Sequence, residues 1–143
     1  MILPDVNVLI YAFRADVPQH GVCRAWLNGM ISGDARFGLS PLVLSAVVRI
    51  TTDRRIYSQP STAEEALGFC DDLLGQPHCQ VFEPGERHWA ILRRLCLHTG
   101  TGGRRVTDAW LAALAIVWGC EWVTLDRDYA RFPGLRWAVP GRP

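Results

Sequence analysis

The sequence predicts an α/β domain: a short parallel sheet flanked by helices on both faces. Three observations carry that prediction. Short apolar runs of strand character alternate with longer segments whose apolar residues recur every three or four positions, the pattern of strand–helix–strand units. No internal repeat, linker or low-complexity stretch interrupts the alternation, so residues 1–143 read as one domain. With 143 residues, 49% of them hydrophobic, the chain also has enough apolar surface to close a core.

Taken in order, residues 1–4 read as a strand, and the chain turns at Pro4-Asp5 into an apolar segment, Val6 to Phe13. A helix is expected from about Pro18 to Ile31, with Asp16 as its cap and Pro18 in its first turn, broken by Gly33-Asp34. A strand ending at Ser40 then passes into a helix opened by Pro41, with Ser40 as N-cap, that runs to about Thr52. Ser61 and Glu64 have the spacing of a capping box ahead of a helix to about Leu74. "CQVFEP" reads as a strand. "GERHWAILRRLCLHTG" reads as a helix with Trp89, Leu92, Leu95 and Cys96 at apolar spacing, stopped by Gly100. "TGGRRV" is a loop, and "TDAWLAALAIVWG" is a helix apolar nearly all round, which places it at the centre. "CEWVTLD" is a strand, "RDYARFPG" a short helical or turn segment, and "LRWAV" a last strand.

A net charge of +1 gives no strong overall field toward nucleic acid or membrane, which leaves only local patches for either. All fifteen basic residues are arginine, a bias expected of a GC-rich coding sequence. Arginine is also the better fork for phosphate. The five cysteines are scattered without a CxxC pair, which points to reduced thiols and away from a disulfide or zinc framework. The N-terminus lacks a basic leader, and no apolar stretch is long enough to cross a bilayer; a soluble, cytoplasmic protein with no membrane partner is expected.

In an open parallel sheet, ligands gather beyond the carboxyl ends of the strands. Asp5 follows the first strand, Asp126 ends "WVTLD", and Asp108 lies in the first turn of the central helix. A helix entering from that edge would bring all three together. Converging carboxylates repel one another unless a cation holds them, and ligands made only of oxygen suit Mg²⁺ or Mn²⁺. Such an ion can activate water and stabilise charge on a phosphodiester. Each acid also has a structural use: Asp5 as the cap of the following helix, Asp108 as a complement to a helix dipole, Asp126 as the start of a turn.

"PDVNVLIYAF" resembles the opening "DxNxLI" of PIN domains, particularly those of the VapC toxins. "VTDAWLAALAIVWG" is similar to their third motif, an Asp beginning an apolar helix, and "VTLDRDYARFPGLRW" to their closing segment. The resemblance spans essentially the whole chain in the right order. It implies a three-layer PIN-like fold and a Mg²⁺-dependent endoribonuclease, with Mn²⁺ as the alternative ion. It further implies the toxin component of a toxin–antitoxin module, a homodimer held in check by a cognate antitoxin. The implied substrate is structured RNA with an exposed single-stranded loop. By the same resemblance Asp5, Asp108 and Asp126 would be the catalytic metal ligands, and Asn7 would orient Asp5.

One acid of the family pattern is missing. PIN nucleases commonly carry a Glu on the helix after the second strand, where this chain has Ser45 and Ala46 and no carboxylate between Pro41 and Thr52. The lower charge predicts weaker metal binding and weakens the case for a second ion, with the number of ions left open. Ser45 could hold a metal-bound water, and Asp128 could serve as a substitute acid. Arg14, Arg49, Arg104, Arg105 and Arg127 are the candidate phosphate contacts near the rim, with Arg104-Arg105 in a Gly-rich loop just before Asp108. None of the six tryptophans is assigned to RNA, and the four histidines share no evident site. The first helices, "VPQHGVCRAWLNGMI" and "STAEEALGFCDDLL", leave room for a groove that would take an amphipathic antitoxin helix.

The competing readings differ in class. A PIN fold without its fourth acid could be a non-catalytic module that binds RNA or a partner. A phosphatase of the Asp-x-Asp kind would need an acid where Asn7 stands, and a receiver domain a Lys that the chain lacks. A dinucleotide site would need GxGxxG.

Overall fold

The computed structural model describes residues 1–142, and its five strands are all parallel. They are β1 (Ile2–Pro4), β2 (Phe37–Leu39), β3 (Cys79–Val81), β4 (Glu121–Val123) and β5 (Arg136–Ala138), in the order β3-β2-β1-β4-β5. The helices are α1 (Val6–Phe13), α2 (His20–Ser32), α3 (Pro41–Thr51), α4 (Ala63–Leu74), α5 (His88–Thr99) and α6 (Val106–Val117). Single turns of tighter helix cover Gly103–Arg105 and Arg127–Arg131.

The sheet grows outward from β1 in one direction through β2 and β3, then restarts on the other side with β4 and β5. Right-handed crossovers send the helices of the two directions to opposite faces. Accordingly α1 packs on α2 and α3, and α3 on α4, whereas α5 packs on α6. The reversal places a switch point between β1 and β4, whose register aligns Ile2 with Glu121 and Pro4 with Val123. Crevices open at the carboxyl ends of strands at such a point.

The core fills both faces. Leu3, Leu9, Phe37, Leu39, Val47, Leu95, Leu114 and Trp122 are fully buried, and Leu111 to Ala115 make α6 the inner helix its all-round apolar sequence predicts. One glycine is required by packing. A Cβ on Gly38, in the middle of β2, would stand 2.1 Å from the ring of Phe82, which itself stacks on Trp118 at 4.4 Å.

Three local expectations are corrected. α2 starts at His20, after Gln19, and Asp16 does not cap it. Its carboxylate is held instead by Arg14, at 2.6 and 2.9 Å. The capping box is shifted by one residue: Thr62 and Glu65 make it, because Ser61 Oγ is taken up as an acceptor for Arg14. The Gly-rich stretch before α6 is a loop only as far as Gly102, since Gly103–Arg105 already turn into the helix. Ser40 stands at the N-cap of α3 as expected, yet its hydroxyl is buried without a hydrogen-bond partner. All five cysteines are free thiols. Among the described residues no helix is long and apolar enough to cross a membrane.

Candidate active site

Asp5 is the first residue beyond β1 and the N-cap of α1. Its backbone N–H still donates to Val123 O of β4, at 2.8 Å, so the two strand ends are tied where the side chain emerges. Oδ1 accepts from Val6 N at 2.6 Å. Oδ2 accepts from the Thr124 hydroxyl at 2.6 Å and from the Asn7 amide at 3.1 Å. The Asn7 amide also donates to Thr124 Oγ1, and its carbonyl oxygen accepts from Leu125 N. Asn7 thus clamps the ends of β1 and β4 together around one carboxylate.

Thr124 is the hub of this arrangement. It is fully buried, and its hydroxyl donates to Asp5 while accepting from Asp126 N at 3.0 Å. Asp126 in turn accepts from Asp128 N through Oδ1, the short turn its sequence position suggests. Asp108 reaches the same place from the first turn of α6. Its Oδ1 lies 3.5 Å from the Tyr129 hydroxyl, and Arg131 stands 3.5 Å from its Oδ2.

Asp5, Asp108 and Asp126 line one cleft of about 360 Å³, together with Asn7, Ser45, Ala46, Arg49, Thr107 and Tyr129. Their electrostatics show the crowding. Burial raises the Asp5 carboxyl to about 6 against the pull of its Thr124 and Val6 hydrogen bonds, and the charges of Asp108 and Asp126 push the same way. Asp108 is raised too, chiefly by burial, with Arg131 pulling it back. Burial and all three carboxylates hold the Tyr129 hydroxyl firmly protonated.

Beside Tyr129 and Arg49, the cleft's titratable groups are carboxylates, with no His or Cys, a set suited to a hard divalent cation. Among the described residues, no three His, Cys, Asp or Glu side chains stand close enough to chelate one ion directly. Mg²⁺ does not require that: it keeps several waters and takes one or two protein carboxylates, the rest acting through its water shell. The residues therefore fit such an ion.

Other candidates fall elsewhere. The Ser45 hydroxyl donates to Leu42 O within its own helix, at 2.9 Å, so it is occupied on the chain. Asp128 points out of the cleft, its Oδ2 3.5 Å from Arg105. Arg49 lines the cleft; Arg104 and Arg127 are exposed and outside its lining. Arg14 does not reach the site at all. It is buried at the far end of α1, where it binds Asp16, Ser61 and Gln59 O and stacks over Tyr57 at 3.8 Å. His20 and His88 each bond a backbone carbonyl, a structural use. The sequence reading missed Thr124, Tyr129 and Arg131. Their only local signal was their place in "VTLDRDYARF", around the last acid.

Known proteins match this chain over nearly its whole length. The PIN domain family matches residues 2–135. Ribonuclease VapC43 of Mycobacterium tuberculosis is 39% identical over 140 residues, covering 98% of this chain and 95% of that protein. Ribonuclease VapC25 of the same organism is 40% identical, covering 98% and 99%. Among solved structures, VapBC2 from Rickettsia felis, bound to a promoter DNA fragment, superimposes with a TM-score of 0.72 at 17% identity, covering 98% and 99%. The sarcin-ricin loop cleaving toxin VapC20 of M. tuberculosis gives 0.66 at 17% identity, covering 95% and 99%. With the acid cleft at the switch point of a five-stranded parallel sheet, the chain belongs to the PIN-domain family, among its VapC ribonucleases.

Proposed function

We propose that this protein is a Mg²⁺-dependent endoribonuclease, the toxin of a toxin–antitoxin module, with residues 1–143 acting as one domain. The observation that carries the reading is the convergence of Asp5, Asp108 and Asp126 on one cleft from three separate elements. When bound there, Mg²⁺, or Mn²⁺ in its place, supplies activation of the attacking water and charge stabilisation on the phosphodiester. The three carboxylates would hold the ion, directly or through its waters. Asn7 and Thr124 fix the rotamer of Asp5 by their hydrogen bonds to Oδ2, and Tyr129 does the same for Asp108. Arg49, on the opposite wall, offers a guanidinium to a neighbouring RNA phosphate. The substrate would be structured RNA with an exposed single-stranded loop, whose unstacked bases are open to a protein site.

The antitoxin would seat on a groove of about 660 Å³ between α2 and α4. Phe13, Leu27, Ile31, Phe69 and Leu73 line it, together with three acids, Glu64, Glu65 and Asp72, and one cation, Arg24. An amphipathic helix with basic flanks matches that pattern. Homodimerisation is part of the same proposal.

The test is cleavage of total tRNA and rRNA by antitoxin-free protein in Mg²⁺, Mn²⁺ and EDTA, beside Asp5→Asn and Asp108→Asn variants checked for folding by circular dichroism. Discrete, metal-dependent cuts that vanish in both variants are expected. Folded wild-type protein that cuts no RNA would favour a non-catalytic binding module, for which the absent carboxylate at Ser45 and Ala46 would be the reason.

A further inference from the structure

Among the described residues Arg131 is the one cation paired with a carboxylate of the acid cleft, and it is not fully used there. Its NH2 lies 3.5 Å from Asp108 Oδ2, an ion pair without a hydrogen bond. Nε and NH2 are both buried with no hydrogen-bond partner, while about a quarter of the side chain remains exposed, and the guanidinium leans over the ring of Phe132 at 4.7 Å. Buried unpaired donors of a charged group are costly, so stability alone gives no reason to keep this arrangement. A guanidinium presents its donors as a planar fork that matches two oxygens of a phosphate.

We infer that Arg131 competes with the metal for Asp108 in the RNA-free protein, and that once Asp108 turns to the metal the guanidinium is released from its buried position, so that its unused donors receive an RNA phosphate when the substrate arrives. The inference rests on the metal-dependent ribonuclease reading and adds to it a positioning residue that couples the two ligands. The electrostatics run in one direction. Asp108 cannot serve a fixed monovalent cation and a divalent ion equally well, so Arg131 weakens metal binding to the empty cleft. A phosphodiester oxygen placed between the two cations removes their repulsion and gives the orphaned N–H groups an acceptor. The other charges facing Asp108 are Asp5, Asp126 and Arg105, and Arg105 has Asp128 as a partner of its own.

Two measurements test this without relying on turnover. Mn²⁺ alone is titrated into wild type, Arg131→Gln and Arg131→Lys by isothermal calorimetry, with folding verified by thermal melts. Arg131→Gln should bind Mn²⁺ on the order of tenfold more tightly, and Arg131→Lys, which keeps the charge, should match wild type. A purely structural role predicts the reverse for Arg131→Gln, because an undirected Asp108 would be the poorer ligand. Binding of a short single-stranded RNA, followed by fluorescence anisotropy in EDTA across a salt series, should then weaken in Arg131→Gln. The slope of log K against log salt should fall by about 0.7, the value for one lost phosphate contact. Wild-type protein that cuts RNA and binds Mn²⁺, with both quantities unchanged in Arg131→Gln, would overturn this inference and leave the ribonuclease reading standing. Wild-type protein that neither binds Mn²⁺ nor cuts RNA would overturn both.

Discussion

Thr124→Val is the most informative single change in the site, because it removes one hydroxyl and almost no volume. That hydroxyl is fully buried, donates to Asp5 at 2.6 Å and accepts from Asp126 N at 3.0 Å. A hydrogen bond to a charged group contributes about 1.5–3 kcal/mol, and an amide left buried without an acceptor costs about 1–3 kcal/mol. A loss of about 3 kcal/mol is therefore expected, or a melting temperature lower by about 10 °C in a chain of this size. The Thr124 bond also draws the Asp5 carboxyl downward against burial. Without it the acid limb of the activity–pH profile should move up. The assays are urea and thermal unfolding, plus cleavage rate against pH at a fixed Mg²⁺ concentration below saturation. Thr124→Ser keeps the hydroxyl and should stay near wild type in both. A valine variant with wild-type stability and an unmoved acid limb would refute the idea that Thr124 organises Asp5 and Asp126.

Three further outcomes are expected. The Asp5 carboxyl is raised from 3.8 to about 6, so its ionisation opposes folding. The metal-free protein should carry full stability from this group below its unfolded pKa and lose about 3 kcal/mol as pH rises through its folded value. Mg²⁺ selects the ionised form, so the rise in melting temperature on adding Mg²⁺ should be larger at about pH 7 than at about pH 5; thermal melts with and without the ion check both. Ala46→Glu places a carboxylate on the wall that lacks one, and calorimetry should find Mn²⁺ bound on the order of tenfold more tightly. Gly38→Ala drives a methyl into the Phe82 ring and should cost about 2–3 kcal/mol in urea unfolding, with metal affinity unchanged if the damage stays in the core.

The alternation of elements, the central place of α6 and the three acids were all legible in the sequence. Each rests on local information: apolar periodicity, helix starts and stops, and an Asp just beyond an apolar strand. The sequence also exposed the missing carboxylate, since α3 can be read residue by residue. Boundaries failed where a distant side chain intervened. Arg14 claims Asp16 and Ser61, which moves one cap and shifts a capping box by a residue. Nothing near Ser61 announces that partner, 47 positions away.

Which side chains surround the acids depends on contacts between distant parts of the chain. The β1–β4 pairing joins strands more than a hundred residues apart, and it alone puts the Thr124 hydroxyl on Asp5. The turn after β4 meets the first turn of α6, which is how Tyr129 and Arg131 come to Asp108. In sequence, Thr124, Tyr129 and Arg131 are ordinary strand-end and turn residues. Their roles arise from the switch point of the sheet, where charge is concentrated at low solvent exposure and every neighbouring donor acquires a consequence.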